Sequence, residues 1–425
     1  MLDSDPQGAP VAGATVRPDE LTAIEGLVAA DLPAFLTDLE TLVNIDCGSY
    51  TKLGVDEVGR WVAAFLERLG AQVTRHRDAT LGDAIVGEFK GRPGGRRILI
   101  IGHMDTVFDP GTVASRPFRV ANGLAHGPGV TDMKGGLLTG LYALRTLVRL
   151  AGDGAHRDGD EGAAGELPFE RVWFVANPDE EIGSPTSTPI IRELAGQADA
   201  AFVFECARAN GDIVSSRKGI VDARIVIHGR AAHAGVEPEK GRSAILAAAH
   251  LIPALHALTG RWPGVTCNVG VMHAGTRPNV VAEEARLEVD LRAVRGEDLD
   301  AAQAAVQDLM AAPAVPDVTM DMETMASWRP MEKLERSGRL VESAVAIAGR
   351  LGFALKDAAT GGASDANTTS GLGVPSLDGL GPIGGGDHAP GEYLEVDSIV
   401  PRTALAAGLL LAVARDPVVR AWRAG

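Results

Sequence analysis

Apolar positions recur at helical spacing through residues 20–43: Leu21, Ile24, Leu27, Val28, Leu32, Phe35, Leu36, Leu39 and Leu42. Pro33 removes a backbone donor inside that run, which predicts a break into two helices. A further helix is expected over 56–69, stopped by Gly70 at its C-cap. Strand-like runs follow at 72–74, 83–89 and 97–103. Residues 118–120 and 124–126 flank Ala121-Asn122-Gly123, a hairpin signal. The pattern then alternates between helix (137–150, 188–195) and apolar strand (171–176, 200–204). Residues 151–167 are polar and Gly-rich with no period, and are read as a solvent-exposed loop, its His156 included, away from the chemistry.

From about residue 215 the pattern changes. Strands at 221–228, 266–273, 285–294 and 317–322 interleave with helices at 243–258 and 298–311. That order, β-α-β-β-α-β, is the ferredoxin-like split unit. α/β character returns after Pro330, with a helix at 336–351, a strand at 374–377 and a last helix at 398–415. The reading is an α/β protein with an inserted α+β domain: 1–18 disordered, 19–214 the first part of the main domain, 215–326 the insertion, and 327–425 the remainder.

Composition narrows the function. The 425 residues carry a formal net charge of −16, which argues against nucleic acid or an anionic membrane surface as partner. Aromatics are only 4%, so the core is aliphatic. Cys47, Cys206 and Cys267 make no disulfide framework, which points to a reducing, cytoplasmic setting. Residues 1–18 have neither a cationic start nor an apolar run, and residues 404–414, the longest apolar stretch, are too short to span a bilayer.

Three apolar strands each end in metal-ligand types. One runs into His103-Met104-Asp105, one into Asn177-Pro178-Asp179-Glu180-Glu181, and one into Glu205. In open α/β sheets, sites form outside the carboxyl ends of the strands. Asp132 lies in a Gly-bounded turn before a helix, and His388 follows Gly384-Gly385-Gly386-Asp387. His103, Asp132, Glu181, Glu205 and His388 form an N/O donor set without cysteine, which suits catalytic zinc. An odd number with one shared carboxylate fits two ions about 3.5–4 Å apart, and Asp132 is the natural bridge. Glu180 and Glu181 are adjacent, so in an extended segment their carboxylates diverge; one can ligate while the other faces a bridging water.

The runs His103-x-Asp105, Gly127-Pro128-Gly129-x-x-Asp132-x-Lys134-Gly135-Gly136 and Asp179-Glu180-Glu181-x-Gly183-Ser184, with Glu205 and His388, resemble the M20 family of di-zinc metallopeptidases. The likeness runs from about Leu42 to Ala412. It is nearest the glutamate carboxypeptidase branch, the carboxypeptidase G2 type, through Leu42-Val43-Asn44-Ile45, Pro117-Phe118-Arg119-Val120, His233-Ala234-Gly235, Arg329-Pro330 and Thr360-Gly361-Gly362. The resemblance implies a zinc-exopeptidase-like α/β catalytic domain with a lid and dimerisation insertion. It implies two Zn2+ per chain, with Co2+ or Mn2+ as substitutes. One would sit on His103, Asp132 and Glu205, the other on Asp132, Glu181 and His388. Glu180 would be the general base and Asp105 the partner that orients His103. The family has a cis peptide after the bridging Asp, expected here between Asp132 and Met133. Many members carry Asp where this chain has Met133, a position that is not a ligand.

The resemblance further implies that His233 reaches the neighbouring subunit's site and stabilises the oxyanion, which requires a homodimer. Asn279 is expected to bind substrate from the same side. Arg292 and Arg329, with Lys218 a weaker candidate, would clamp a carboxylate through the planar fork. The expected substrate is a small molecule or short peptide with a free carboxylate. C-terminal glutamate on an N-acyl or folate-like group comes first. An N-acyl-amino-acid deacylase or a dipeptidase would use the same scaffold, and a non-catalytic dimeric binding protein is the third reading.

Overall fold

A computed structural model describes residues 12–13, 15–152 and 167–421. The expectation about the polar loop falls mostly outside those residues, His156 with it. The chain forms two compact units, one of Met1–Ser215, Lys333–Ala359 and Ser364–Gly425, the other of Ser216–Glu332 and Thr360–Ala363.

The larger unit opens with α1 (Pro18–Val43) and α2 (Lys52–Arg68), then β1 (Gln72–His76), β2 (Ala84–Lys90) and β3 (Arg96–His103). A helical turn, α3 (Thr112–Ser115), precedes the hairpin β4 (Arg119–Ala121) and β5 (Leu124–His126). Then come α4 (Gly135–Gly152), β6 (Phe169–Asn177), α5 (Thr188–Ala195) and β7 (Ala200–Val203). β8 (Ile213–Arg217) leads into the smaller unit: β9 (Gly219–His228), α6 (Ala244–His256), β10 (Thr266–Ala274), β11 (Glu284–Ala293), α7 (Gly296–Ala311) and β12 (Thr319–Trp328). The chain returns through α8 (Glu335–Arg350), β13 (Asp357–Thr360), α9 (Asp365–Gly371), β14 (Ser376–Leu377), β15 (Gly384–Gly385), β16 (Tyr393–Glu395), α10 (Val396–Arg415) and α11 (Pro417–Ala421).

The main sheet has the order β1-β2-β6-β3-β7-β14. β6, β3, β7 and β14 run parallel, while β2 is antiparallel to both its neighbours. β3 is buried on both faces, which is why it reads as an unbroken apolar run rather than an alternation. α1, α4, α8 and α10 pack side by side against this sheet's core. A four-stranded sheet, β15-β16-β5-β4, carries the hairpin: Ala121 pairs with Leu124, so Asn122 and Gly123 make the turn, both at positive φ. In the smaller unit, β10-β11-β9-β12 is wholly antiparallel. α6 and α7 cover one face, where Val221, Ala223, Ile225 and Ile227 alternate inward.

Four expectations change. α1 is one helix, not two. Pro33 sits on its exposed side, as does Ala29, whose carbonyl loses its donor, so water can satisfy that group while the stripe Val28, Phe35, Leu39 continues inward. Residues 12–18 are not all disordered: Val16 is buried, Thr15 bonds to the Ala412 carbonyl, and Pro18 begins α1. The insertion reaches beyond 326 to Glu332 and includes Thr360–Ala363, because Arg217 pairs with Met331 and with the Gly362 carbonyl and Arg292 bonds to Gly361. The apolar run at 404–414 belongs to a 20-residue helix long and apolar enough to cross a bilayer, but 78% of its most apolar window is buried inside the protein.

Candidate metal centre

β6, β3 and β7 are neighbours, and their carboxyl ends deliver the chemistry. His103 closes β3 opposite Asn177, the last residue of β6. Glu205 lies two residues past β7. Glu180 and Glu181 form a single helical turn, Glu180–Ile182, not the extended segment expected, yet successive side chains around such a turn still diverge. Asp132 sits in the turn Val130–Lys134 between Gly129 and α4, and the Asp132–Met133 peptide is cis. His388 adopts positive φ in the turn between β15 and β16.

These side chains converge. His103 Nε2 lies 3.1 Å from Asp132 Oδ1 and 3.7 Å from Glu205 Oε1. His388 Nε2 lies 3.1 Å from Asp132 Oδ2 and 3.1 Å from Glu181 Oε2. Asp132 thus turns one oxygen to each histidine. Ligand atoms of His103, Glu180 and Glu205 lie within 4.8 Å of one another, as do those of His103, Asp132 and Glu181.

The tautomer of His103 follows from its other nitrogen. Nδ1 is 3.0 Å from the main-chain oxygen of Asp105, and a carbonyl oxygen only accepts, so Nδ1 carries the proton. Nε2 then faces two carboxylates, so a positive charge, either a proton on the ring or a bound metal ion, must lie between them. Burial works against a charged ring here, yet contacts with Asp105 and Asp132 outweigh it and hold the pKa well above the ordinary histidine value. Asp132, then Glu181, push His388 up to about 11. Burial, only partly opposed by His103, raises the Glu180 carboxyl well above its usual range, with Glu205 and Asp365 adding to it. Two groups of donors, His103 with Glu205 and His388 with Glu181, share Asp132. The residues therefore fit a pair of divalent ions.

Asp105 does more than the sequence suggests. β3 ends at His103, and Asp105 lies two residues past it. The Asp105 carboxylate is 3.4 Å from His103 Nδ1, longer than the main-chain contact. It accepts instead from Ser49 Oγ (2.7 Å), Glu180 N (3.1 Å) and Glu181 N (3.2 Å). Asp105 orients His103 through its backbone and fixes the Glu180–Glu181 turn through its side chain. Glu392, which no sequence motif marks, does the same for the Asp132 turn: its carboxylate accepts from the amides of Gly129, Thr131 and Asp132 at 2.8–3.1 Å. Asn177 and Ser184 both donate to buried Asp365, and Asp179 accepts from Thr186 and Ser187. In the sequence, the Asn177-Pro178-Asp179 strand end and Ser184 of the motif after it were the visible parts of this brace.

The smaller unit holds the remaining predicted residues. His233 is exposed; its main chain bridges to Val280, and Ala234 N donates to the Asn279 carbonyl, so His233 and Asn279 are close neighbours. Arg292 forks onto Asp290 at 2.8–3.0 Å and donates to the Gly361 carbonyl. Arg329 pairs with Asp300 and lies against Gly296. Lys218 donates its amide to the Thr360 carbonyl.

The peptidase dimerisation domain model of M20 proteins matches residues 215–318. Carboxypeptidase G2 from Pseudomonas sp. (strain RS-16) is 33% identical over 384 residues, 89% of this chain and 89% of that protein. The chain belongs to the M20 family of metallopeptidases. As an M20 protein it is a metal-dependent hydrolase that cleaves amide bonds. A p-aminobenzoyl-glutamate hydrolase homolog of Haemophilus influenzae is 40% identical over 128 residues, 29% of this chain and 30% of that protein. The crystal structure of aminopeptidase PepT from Bacillus cereus superposes with a TM-score of 0.70 at 22% identity, over 90% of this chain and 99% of that one.

Proposed function

We propose that this M20 enzyme is a di-zinc carboxypeptidase that releases a C-terminal amino acid, foremost glutamate, from N-acyl or folate-like amides. The observation that carries the metal assignment is Asp132, whose two oxygens face two different histidines at 3.1 Å each. His103, Asp132 and Glu205 would hold one ion, and Asp132, Glu181 and His388 the other. Two such ions, when bound, acidify a water and polarise the scissile carbonyl. Glu180, close to the His103–Glu205 pair, takes the proton from that water and passes it to the leaving amine. Asp105 keeps Glu180 aimed by holding its amide. The glutamate preference rests on the similarity to carboxypeptidase G2 and to a p-aminobenzoyl-glutamate hydrolase homolog. His233 is proposed to stabilise the oxyanion in the neighbouring subunit's site and Asn279 to bind substrate; for Arg292 and Arg329 to clamp a carboxylate they must release Asp290 and Asp300. A homodimer is proposed from the dimerisation domain.

The test is a panel of N-acyl-amino acids and dipeptides, with metal measured in the same preparation. About two zincs per chain and fastest release of glutamate are expected. Faster release of neutral residues would replace the glutamate assignment by a deacylase or dipeptidase. Glu180→Ala should lower kcat by about 10²–10⁴-fold with metal retained; unchanged turnover would remove Glu180 as the base.

A further inference from the structure

The larger unit holds a second concentration of polar side chains, and its sign is opposite to that of the metal centre. Beside the β4–β5 hairpin lies a cavity of about 410 Å³ lined by Arg116, Arg119, His126, Gly127, Pro390 and Gly391, among others. Arg119 and His126 are cross-strand partners, so their side chains share one face of the hairpin. Arg116 reaches the same cavity from the end of α3. Its guanidinium carbon sits 4.5 Å from the Phe108 ring centre, and Nη1 donates to the Ala389 carbonyl at 3.3 Å. The Arg119 guanidinium is exposed and makes no hydrogen bond or ion pair among the described residues. Among the described residues, no acidic side chain lines the cavity. In a protein of formal net charge −16, two guanidiniums around a concave space form a local positive well, and His126, whose Nδ1 lies 3.3 Å from the Glu392 carbonyl, adds a polar ring.

We propose that this cavity is a carboxylate-binding site. The guanidinium fork of Arg119 suits a planar oxyanion bidentately, with Arg116 and His126 completing the donors. Two of its lining residues, Pro390 and Gly391, lie in the short link between His388, which faces Asp132 and Glu181, and Glu392, which holds the Asp132 turn. An anion seated here touches the segment that positions the metal-facing residues. Two sources present that chemistry: a carboxylate on the acyl side of the substrate, or a free small oxyanion. The substrate source rests on the activity proposed above; the binding itself does not.

The test uses zinc-loaded wild type, Arg119→Ala and Arg119→Lys. Calorimetric titration with glutarate and with inorganic phosphate should show a component at least tenfold weaker in the Ala variant and partly restored by Lys. Anions held at the metals persist in all three proteins, so the difference isolates the cavity. N-glutaryl-glutamate and N-pentanoyl-glutamate then separate the sources. If the substrate supplies the carboxylate, Arg119→Ala raises KM about tenfold for the glutaryl compound alone, with kcat within twofold. If a free anion is the occupant, both compounds give unchanged KM, and added glutarate or phosphate alters the wild-type rate on the pentanoyl compound but not the variant's. Identical anion titrations of wild type and Arg119→Ala would overturn the proposal. If neither compound is turned over, the proposed activity fails while the titration still decides the cavity.

Discussion

Replacing Asp105 with Asn changes one atom type and nothing in size, which makes its effect calculable. The carboxylate is fully buried and accepts three hydrogen bonds, with the Glu180 amide on Oδ1 and the Glu181 amide and Ser49 hydroxyl on Oδ2. An asparagine amide offers one acceptor end and one donor end. With its oxygen towards Glu180, the NH2 faces the Glu181 amide, and Ser49 can turn to accept. With its oxygen towards Glu181, the NH2 faces the Glu180 amide. Either way one backbone donor is left buried and unpaired, which costs about 1–3 kcal/mol. The bonds that survive lose their charge assistance, about 1 kcal/mol more. A total of about 2–4 kcal/mol, expressed in the conformation of the Glu180–Glu181 turn, corresponds to about 30- to 1,000-fold in rate. The assay is kcat and KM for the best substrate of the panel, with metal content measured in parallel. The expected result is a kcat loss in that range with KM changed little, and Asp105→Ala, which frees all three donors, losing more. An Asn variant within threefold of wild type in kcat would refute the claim that this carboxylate sets the turn.

Glu392→Ala strips the acceptor from three amides of the turn that carries Asp132, and outer partners of this kind typically govern about 10–100-fold in metal affinity. The variant should therefore release metal to a mild chelator at correspondingly lower concentration; retention equal to wild type would show that the turn holds its shape unaided. Cys47, Cys206 and Cys267 are buried and unpaired. Burial first, and Asp290 second, push the Cys267 thiol up to about 11. Native protein at pH 8 should resist iodoacetamide at this thiol and react after unfolding, and stoichiometric labelling of native protein would contradict this. The linkage sign is negative. Between the ordinary thiol value of 9.0 and about 11, the folded chain keeps a proton that the unfolded chain gives up, so Cys267 lowers stability as pH rises through that window.

Period and composition sufficed for most of the fold. β3 was legible because a strand buried on both faces is apolar throughout, and β9 because one covered face produces alternation. Pro33 misled because a proline breaks a helix only where its lost hydrogen bond cannot be made good, and exposure on α1 is not written in the local sequence. The candidate site was legible in its ligand types, since His103, Glu181 and Glu205 come at or just past strand ends, where the sheet gathers them. Of its supports, Asp105 was legible as the partner of His103 but not as the anchor of the Glu180–Glu181 amides, and Glu392 was not legible at all. Glu392 works on amides some 260 residues away in sequence, and backbone donors carry no residue identity to search for. Arg292 and Arg329 were singled out for their chemistry, but only coordinates show that Asp290 and Asp300 already engage them.

The two supports share a logic with an electrostatic consequence. Asp105 pins the turn that bears Glu180 and Glu181, and Glu392 pins the turn that bears Asp132. Each gains its hold by accepting from main-chain amides, so neither competes for the atoms that face the centre. Each also adds a carboxylate to a region that already contains Asp132, Glu180, Glu181 and Glu205, against the imidazoles of His103 and His388. Low-dielectric surroundings amplify that imbalance. It shows as Glu392 pushed up to about 7 by burial despite three amide donors, and as His388 raised to about 11. On the proposed reading, two divalent ions supply four positive charges where the excess is greatest, so metal binding and the ordering of both turns are one linked equilibrium. On that reading, the same amides that aim Glu180, Glu181 and Asp132 tie the shape of the site to the ions it would hold.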